Sequence, residues 1–257
     1  MRRRIAAAAA PFVIAALAAT ACSGAPAAPA AASAPSPRTT THTAAAGGFT
    51  VSGVRPVPVN GSQDTPAQAG ATCDSARLAT DRSLGNQIAS GFAAADFPAA
   101  ASLLNHFLAG AGTAISYPAG SRMSRLAAAS SAFQGVNEQV QAAVGRALRA
   151  GGTRVELSAG QLPTVTFSET SSDLYWSFRG TQGLTVTGHG SRQGGRYAGT
   201  LTYVIRDSYG FPADDTLDGF GPPMRYLQTV CGAPQHAGGA RWFPDAVTVT
   251  VPFAQPD

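Results

Sequence analysis

Residues 196–207 read RYAGTLTYVIRD, and their alternation decides the architecture. Leu201, Tyr203 and Ile205 lie two apart, so an extended chain places them on one face, with Thr202 and Val204 on the other. The same period of two recurs after Gly152 in TRVEL (153–157), TVTF (164–167), LYWSF (174–178), LTVTG (184–188) and AVTVTVPF (246–253). Gly-rich turns such as RQGG separate these segments, and short turns join antiparallel neighbours. In LYWSF the alternation assigns Leu174, Trp176 and Phe178 to the core. Tyr175, beside Tyr197 or Trp242, is a candidate for an exposed aromatic surface.

Before Gly152 the apolar period is helical. Val136, Val140, Val144 and Leu148 repeat every four residues up to Gly151-Gly152. Leu103, Leu104, Phe107 and Leu108 form a second stripe, with Asp96 as N-cap before Phe97-Pro98 and Gly110 as terminator. Ser124–Phe133 reads as a further helix, and Thr113–Tyr117 as a short apolar piece. FTVSGVRPVPV (49–59) alternates but carries two prolines, which confine it to an edge strand or extended arm. The expected fold is α+β: N-terminal helices packed on a C-terminal antiparallel twisted sheet or partly open β-barrel. It forms one domain over 71–257, helical in 71–151 and β-rich in 152–257.

The N-terminus, MRRRIAAAAAPFVIAALAATACSG, has three arginines, an apolar run and small residues leading to Cys22. That is an export signal over 1–21, and a Cys in the next position matches bacterial lipoprotein signals, whose thiol takes a diacylglyceryl group. Cleavage near Ala21 without lipid is the alternative. Residues 22–70 are Ala, Pro, Ser and Thr-rich at first and then an extended arm and loop; they read as a disordered tether. No later apolar run is long enough to span a membrane.

Three cysteines leave an odd one in an exported chain. If Cys22 carries lipid, Cys73 and Cys231 are the remaining pair, and a disulfide between them is expected; two free thiols are the alternative. All 18 basic residues are arginine. Losing Arg2, Arg3 and Arg4 with the leader lowers the net charge from +4 to +1. A near-neutral domain lacks the footprint of a nucleic-acid binder, so that partner class is set aside.

The apolar face of 196–207 ends in an acid, Asp207, followed by Tyr209. A carboxylate at the rim of a sheet reads either as a general acid/base with the Tyr209 hydroxyl nearby or as a strand-end residue accepting turn N–H groups. The second reading is preferred. Asp214, Asp218 and Gly219 imitate a calcium loop, but Arg225 stands where the bidentate Glu is required. There is no GxSxG elbow, and His106, His189 and His236 have no metal-ligand spacing with other ligands. No metal or cofactor is implied.

LLNHFLAGAG (103–112), DLYWSFRGTQG (173–183), RYAGTLTYVIRDSYGFP (196–212), RYLQTVCGAP (225–234) and RWFPDAVTVTVPF (241–253) together resemble a group of uncharacterised exported actinobacterial proteins. The strand end carrying Asp207 and Tyr209 also resembles polymorphic-toxin C-terminal domains and, more remotely, colicin M-like bacteriocins. In the latter an Asp-x-Tyr-Asp sequence acts with a later His-Arg pair. Here Gly210 replaces the second Asp and no His-Arg pair follows. The resemblance therefore implies a related β-fold more than a retained activity.

The functional expectation is a cell-envelope lipoprotein, membrane-bound through Cys22 on the extracytoplasmic face. Its role is binding or structural, with an envelope lipid, glycan or protein as partner. An envelope hydrolase of phosphodiesters or glycans using Asp207 is the alternative, and a secreted toxin-like effector the third.

Overall fold

The alternation of residues 196–207 is realised in a long hairpin whose two strands, of 14 residues each, are Gly180–Gln193 and Arg196–Tyr209. Gly194 and Gly195 make the turn with φ of 57° and 75°. Positive φ at both central residues is the type I′ geometry whose twist matches paired strands. A computed structural model of the chain describes residues 47–57, 70, 72–211, 219–233 and 236–256. All lie in one compact unit, Thr43–Asp257.

In chain order the elements are β1 (Gly48–Arg55), α1 (Ser75–Ala94), α2 (Pro98–Ala109), β2 (Ile115–Tyr117), α3 (Arg122–Ala129) and α4 (Ser131–Arg149). Then come β3 (Arg154–Leu157), β4 (Val165–Phe167), α5 (Asp173–Ser177), the hairpin β5–β6, α6 (Gly221–Thr229) and β7 (Phe243–Pro256). The fold is α+β, with an open sheet ordered β2-β7-β6-β5-β1-β3 and β4 paired on β5.

The sheet is mixed rather than purely antiparallel. β5, β6 and β7 form the expected meander, but β3 runs parallel to β1 and β2 parallel to β7. β1 is not an edge: it pairs with β5 over Gly48–Arg55 and with β3 over Thr50–Gly53. Its ladder tolerates Pro56 because the strand ends at Arg55, so no paired N–H is removed; Pro58 lies outside the described residues.

Leu174–Phe178, expected as a strand, contains the short helix α5 instead. The Ser172 side chain accepts the Leu174 N–H at 3.2 Å, starting a helix where alternation alone predicted a ladder. Leu174 and Phe178 are buried as expected, but Trp176 leaves their face to pack on Phe92, ring centroids 5.3 Å apart. Ser124–Phe133 spans two helices, broken at Ser130, whose hydroxyl caps α4 through the Phe133 N–H at 3.2 Å.

Two apolar clusters fill the interior. The first lies between the sheet and α3–α4, where Phe133, Val136, Val140, Val144 and Leu148 cover Leu184, Val186, Tyr203, Ile205, Val247 and Val249. Burying each α4 side chain contributes about 1.5–3 kcal/mol, more than helix propensity supplies. The second cluster joins α1, α2 and α6 through Ala89, Leu103, Leu104, Phe107, Leu108, Met224 and Leu227, with Phe243 from the start of β7 and Phe211 from just beyond β6. Gly85 permits this: a Cβ there would lie 2.9 Å from Leu108 and 3.2 Å from the Met224 sulfur. The Cys73–Cys231 disulfide ties the residues before α1 to those after α6, its Cα atoms 5.0 Å apart.

Candidate functional site

Strand register carries the buried face from one cluster to the other through a pair of acids. Across β6 and β7, Tyr203 lies opposite Val249, Ile205 opposite Val247, Asp207 opposite Asp245, and Tyr209 opposite Phe243. Directly opposed residues in antiparallel strands have Cβ atoms about 4.5–5.5 Å apart. Asp207 is 5% exposed and Asp245 2%. Two carboxyl groups thus face one another where the first cluster ends at Ile205 and Val247 and the second begins at Tyr209 and Phe243.

Donors around the pair are scarce. The Asp207 carboxyl accepts from the Ser208 backbone N–H and from the Gln182 side chain, yet burial outweighs both and pushes its pKa up to about 7. Gln182 is fully buried at the start of the β5–β6 ladder. Its amide also donates to the Phe178 carbonyl at 3.0 Å, while its Oε1 finds no donor. The Asp245 carboxyl is pushed well above the usual range, by burial first and by the Asp207 charge second. Its own backbone N–H is the one group that offsets this, and neither oxygen has a partner from another residue.

The Tyr117 hydroxyl on β2 feels the same field. Burial holds its proton above the usual range, and Asp245 and then Asp173 add to the effect. Asp173 is a third buried acid, 3% exposed, and it is well served. Its Oδ2 accepts from the Ala99 N–H at 3.1 Å and Arg122 Nη1 at 3.1 Å, and its Oδ1 from the Ala100 N–H at 2.8 Å. These amides belong to the first turn of α2. Asp173 therefore does from α5 what Asp96 was expected to do locally. Asp96 itself sits at φ 60° with no cap bond, the N-cap position falls on Phe97, and its carboxylate turns outward to Arg122 at 3.3 Å.

Of the residues singled out from sequence, Asp207 is at the site, but it does not end its strand: β6 runs on to Tyr209, and the N–H that Asp207 accepts belongs to the strand residue Ser208 rather than to a turn. Tyr209 follows it on the same face, but its ring packs in the second cluster, stacked on Phe243 at 5.3 Å and 20°. Cys73 and Cys231 are joined. Cys22 and the acids Asp214, Asp215 and Asp218 lie outside the described residues. His106 is a packed histidine, its ring edge-on to Phe243 at 4.5 Å and its Nε2 engaged by the Thr113 carbonyl at 2.8 Å. Tyr175 lines a hollow of about 160 Å³ with Glu169, Ser130 and Ser172, away from the acid pair. Among the described residues, no group of three or more His, Cys, Asp or Glu side chains could hold a metal ion.

Sequence reading missed Asp245, Asp173 and Gln182. Asp245 was in view: it has the parity of Val247 and Val249, but the strand was started one residue later, at Ala246. Asp173 carries no local signal, since its partners lie 51 to 74 residues away.

No known protein family, curated protein or solved structure matches the chain. Among the described residues, no helix is long and apolar enough to cross a membrane.

Proposed function

We propose that the chain is an exported lipoprotein, held at the outer side of the cell membrane through Cys22, whose folded domain has a binding or structural role. The observation that carries this reading is the Cys73–Cys231 disulfide, which spans 158 residues. A crosslink closing so long a loop forms and persists in oxidising compartments and stabilises by about 5 kcal/mol in the chain-entropy model. The Ala/Pro-rich spacer between Cys22 and the first strand suits a domain held away from a lipid surface. The partner is an envelope lipid, glycan or protein.

The anchor is tested by phase partitioning in a cloud-point detergent after expression in a lipoprotein-processing bacterium. Wild type is expected in the detergent phase with a diacylglyceryl-cysteine amino-terminal peptide by mass spectrometry. Cys22→Ala is expected in the aqueous phase. A variant that still enters the detergent phase overturns the anchor.

One observation favours a hydrolase as second reading: Asp245 opposes Asp207, and a carboxylate pair with separated proton affinities can serve as acid and base. Against it, both residues are almost fully buried. Loss of an envelope phosphodiesterase or glycosidase activity in Asp207→Asn, with the fold intact, would reverse the ranking.

A further inference from the structure

A buried carboxylate without a counter-charge must acquire a donor, take a proton or leave the interior. Several donors of the surrounding elements are spent elsewhere, and those left near the pair are uncharged. On α3, Arg122 is held by Asp173 and Asp96. On α5, Asp173 is occupied by two α2 amides and Arg122, and the Ser177 hydroxyl, 1% exposed, has no partner. On α2, His106 is engaged by Thr113. On α6, the Gln228 Oε1 accepts the Phe211 N–H at 3.0 Å, and neither Asp245 oxygen accepts a hydrogen bond from Arg225. β2 contributes Tyr117, a neutral phenol, and β5 contributes Gln182.

We propose that Asp207 and Asp245 form a proton-binding site that latches the two apolar clusters together. While a proton lies between the two carboxyl groups, one is a donor to the other and the strand ends pack as seen. When it leaves to water, two like charges face each other in a dry setting, and β6 and β7 part at Tyr209 and Phe243. The α1–α2–α6 cluster is bound to the sheet's end through Phe243, Phe211 and Tyr209, so parting there loosens that cluster. The disulfide keeps its two ends connected. The inference goes beyond the anchoring of the chain and stands or falls independently of it.

The direction of the pH effect follows from proton counting. Unfolded aspartates titrate near 3.9, whereas Asp207 holds its proton to about 7 and burial pushes Asp245 well above the usual carboxylate range. Between these limits the folded state binds more protons than the unfolded one. Stability is therefore fully present below about pH 4 as regards this pair and is lost as pH rises through 7. That is opposite to the usual behaviour of salt-bridged carboxylates.

The test uses the full-length, oxidised chain in detergent. Melting temperature is measured from pH 5 to pH 8.5, alongside amide hydrogen exchange at residues 207–209, 243, 245 and 246. Wild type is expected to lose about 5–10 °C across this range. Exchange at those residues should accelerate beyond its intrinsic pH dependence. Asp245→Asn, which supplies a permanent donor in the same shape, is expected to flatten the profile and to melt above wild type at pH 8.5. An infrared difference spectrum of wild type between pH 5 and pH 8.5 provides a readout independent of any variant, since a protonated carboxyl absorbs apart from a carboxylate. A melting temperature that is level or rising with pH, or a spectrum without a protonated carboxyl at pH 5, overturns the proposal. So does a saturable rise in wild-type melting temperature with millimolar calcium or magnesium at pH 8.5 that Asp245→Asn lacks, because the pair would then hold a cation.

Discussion

Two regions of the interior bury aspartate at the same depth and treat it in opposite ways. Asp173, between α5 and the start of α2, receives two backbone amides and a guanidinium. Asp207 and Asp245, between β6 and β7, receive one neighbouring amide, one side-chain amide and each other's charge. The difference teaches that burial alone does not assign a role to an acid; the supply of donors does. Asp173 is a cap that joins elements distant in sequence. The pair is a place where the fold is held closed by protons.

The strongest way to break this comparison is to remove the served acid. Asp173→Ala deletes three hydrogen bonds, leaves the first turn of α2 uncapped and leaves Arg122 held by Asp96 alone. The expected loss is about 3 kcal/mol, discounted for the half-exposed guanidinium. Urea denaturation at pH 7 reads it directly.

Asp207→Asn sharpens the contrast from the other side, with a smaller effect of opposite sign. At pH 8 it removes one of two facing charges and supplies an N–H, so its melting temperature should exceed wild type by a few degrees. At pH 5 the gain should vanish, because wild type then carries the donor as a proton. A loss at pH 8 comparable with that of Asp173→Ala would mean that both regions depend on ionised acids, and the distinction would fail.

The sequence revealed these two regions unequally. β6 was legible because Leu201, Tyr203 and Ile205 alternate without interruption, and Asp207 was visible as the residue that interrupts them. Its partner was hidden by one residue of strand boundary at Asp245. α4 was legible from its four-residue repeat. α1 was not, because SARLATDRSLGNQIASGFAA buries Asp81, Gly85 and Ala89 and shows no apolar stripe. It is held by close approach to Leu108 and Met224 at Gly85, which depends on where α2 and α6 lie. The strand assigned to 174–178 failed because a Ser172 cap and the long-range service of Asp173 prevailed over local alternation. Periodicity reports which side of an element is dry; it does not report who donates to a buried oxygen.

The smallest effect separates the two kinds of donor at Asp173. Arg122 reaches its Oδ2 at 3.1 Å with a side chain 44% exposed, so water and salt screen the pair. Arg122→Gln should therefore cost about 1 kcal/mol, and most of the difference from wild type should disappear in 1 M salt. The two α2 amides then remain as donors to the carboxylate. Should the substitution instead cost as much as Asp173→Ala, the guanidinium would be the decisive donor. Asp173 without it would behave like Asp207 and Asp245, and a single arginine would be all that distinguishes the two regions.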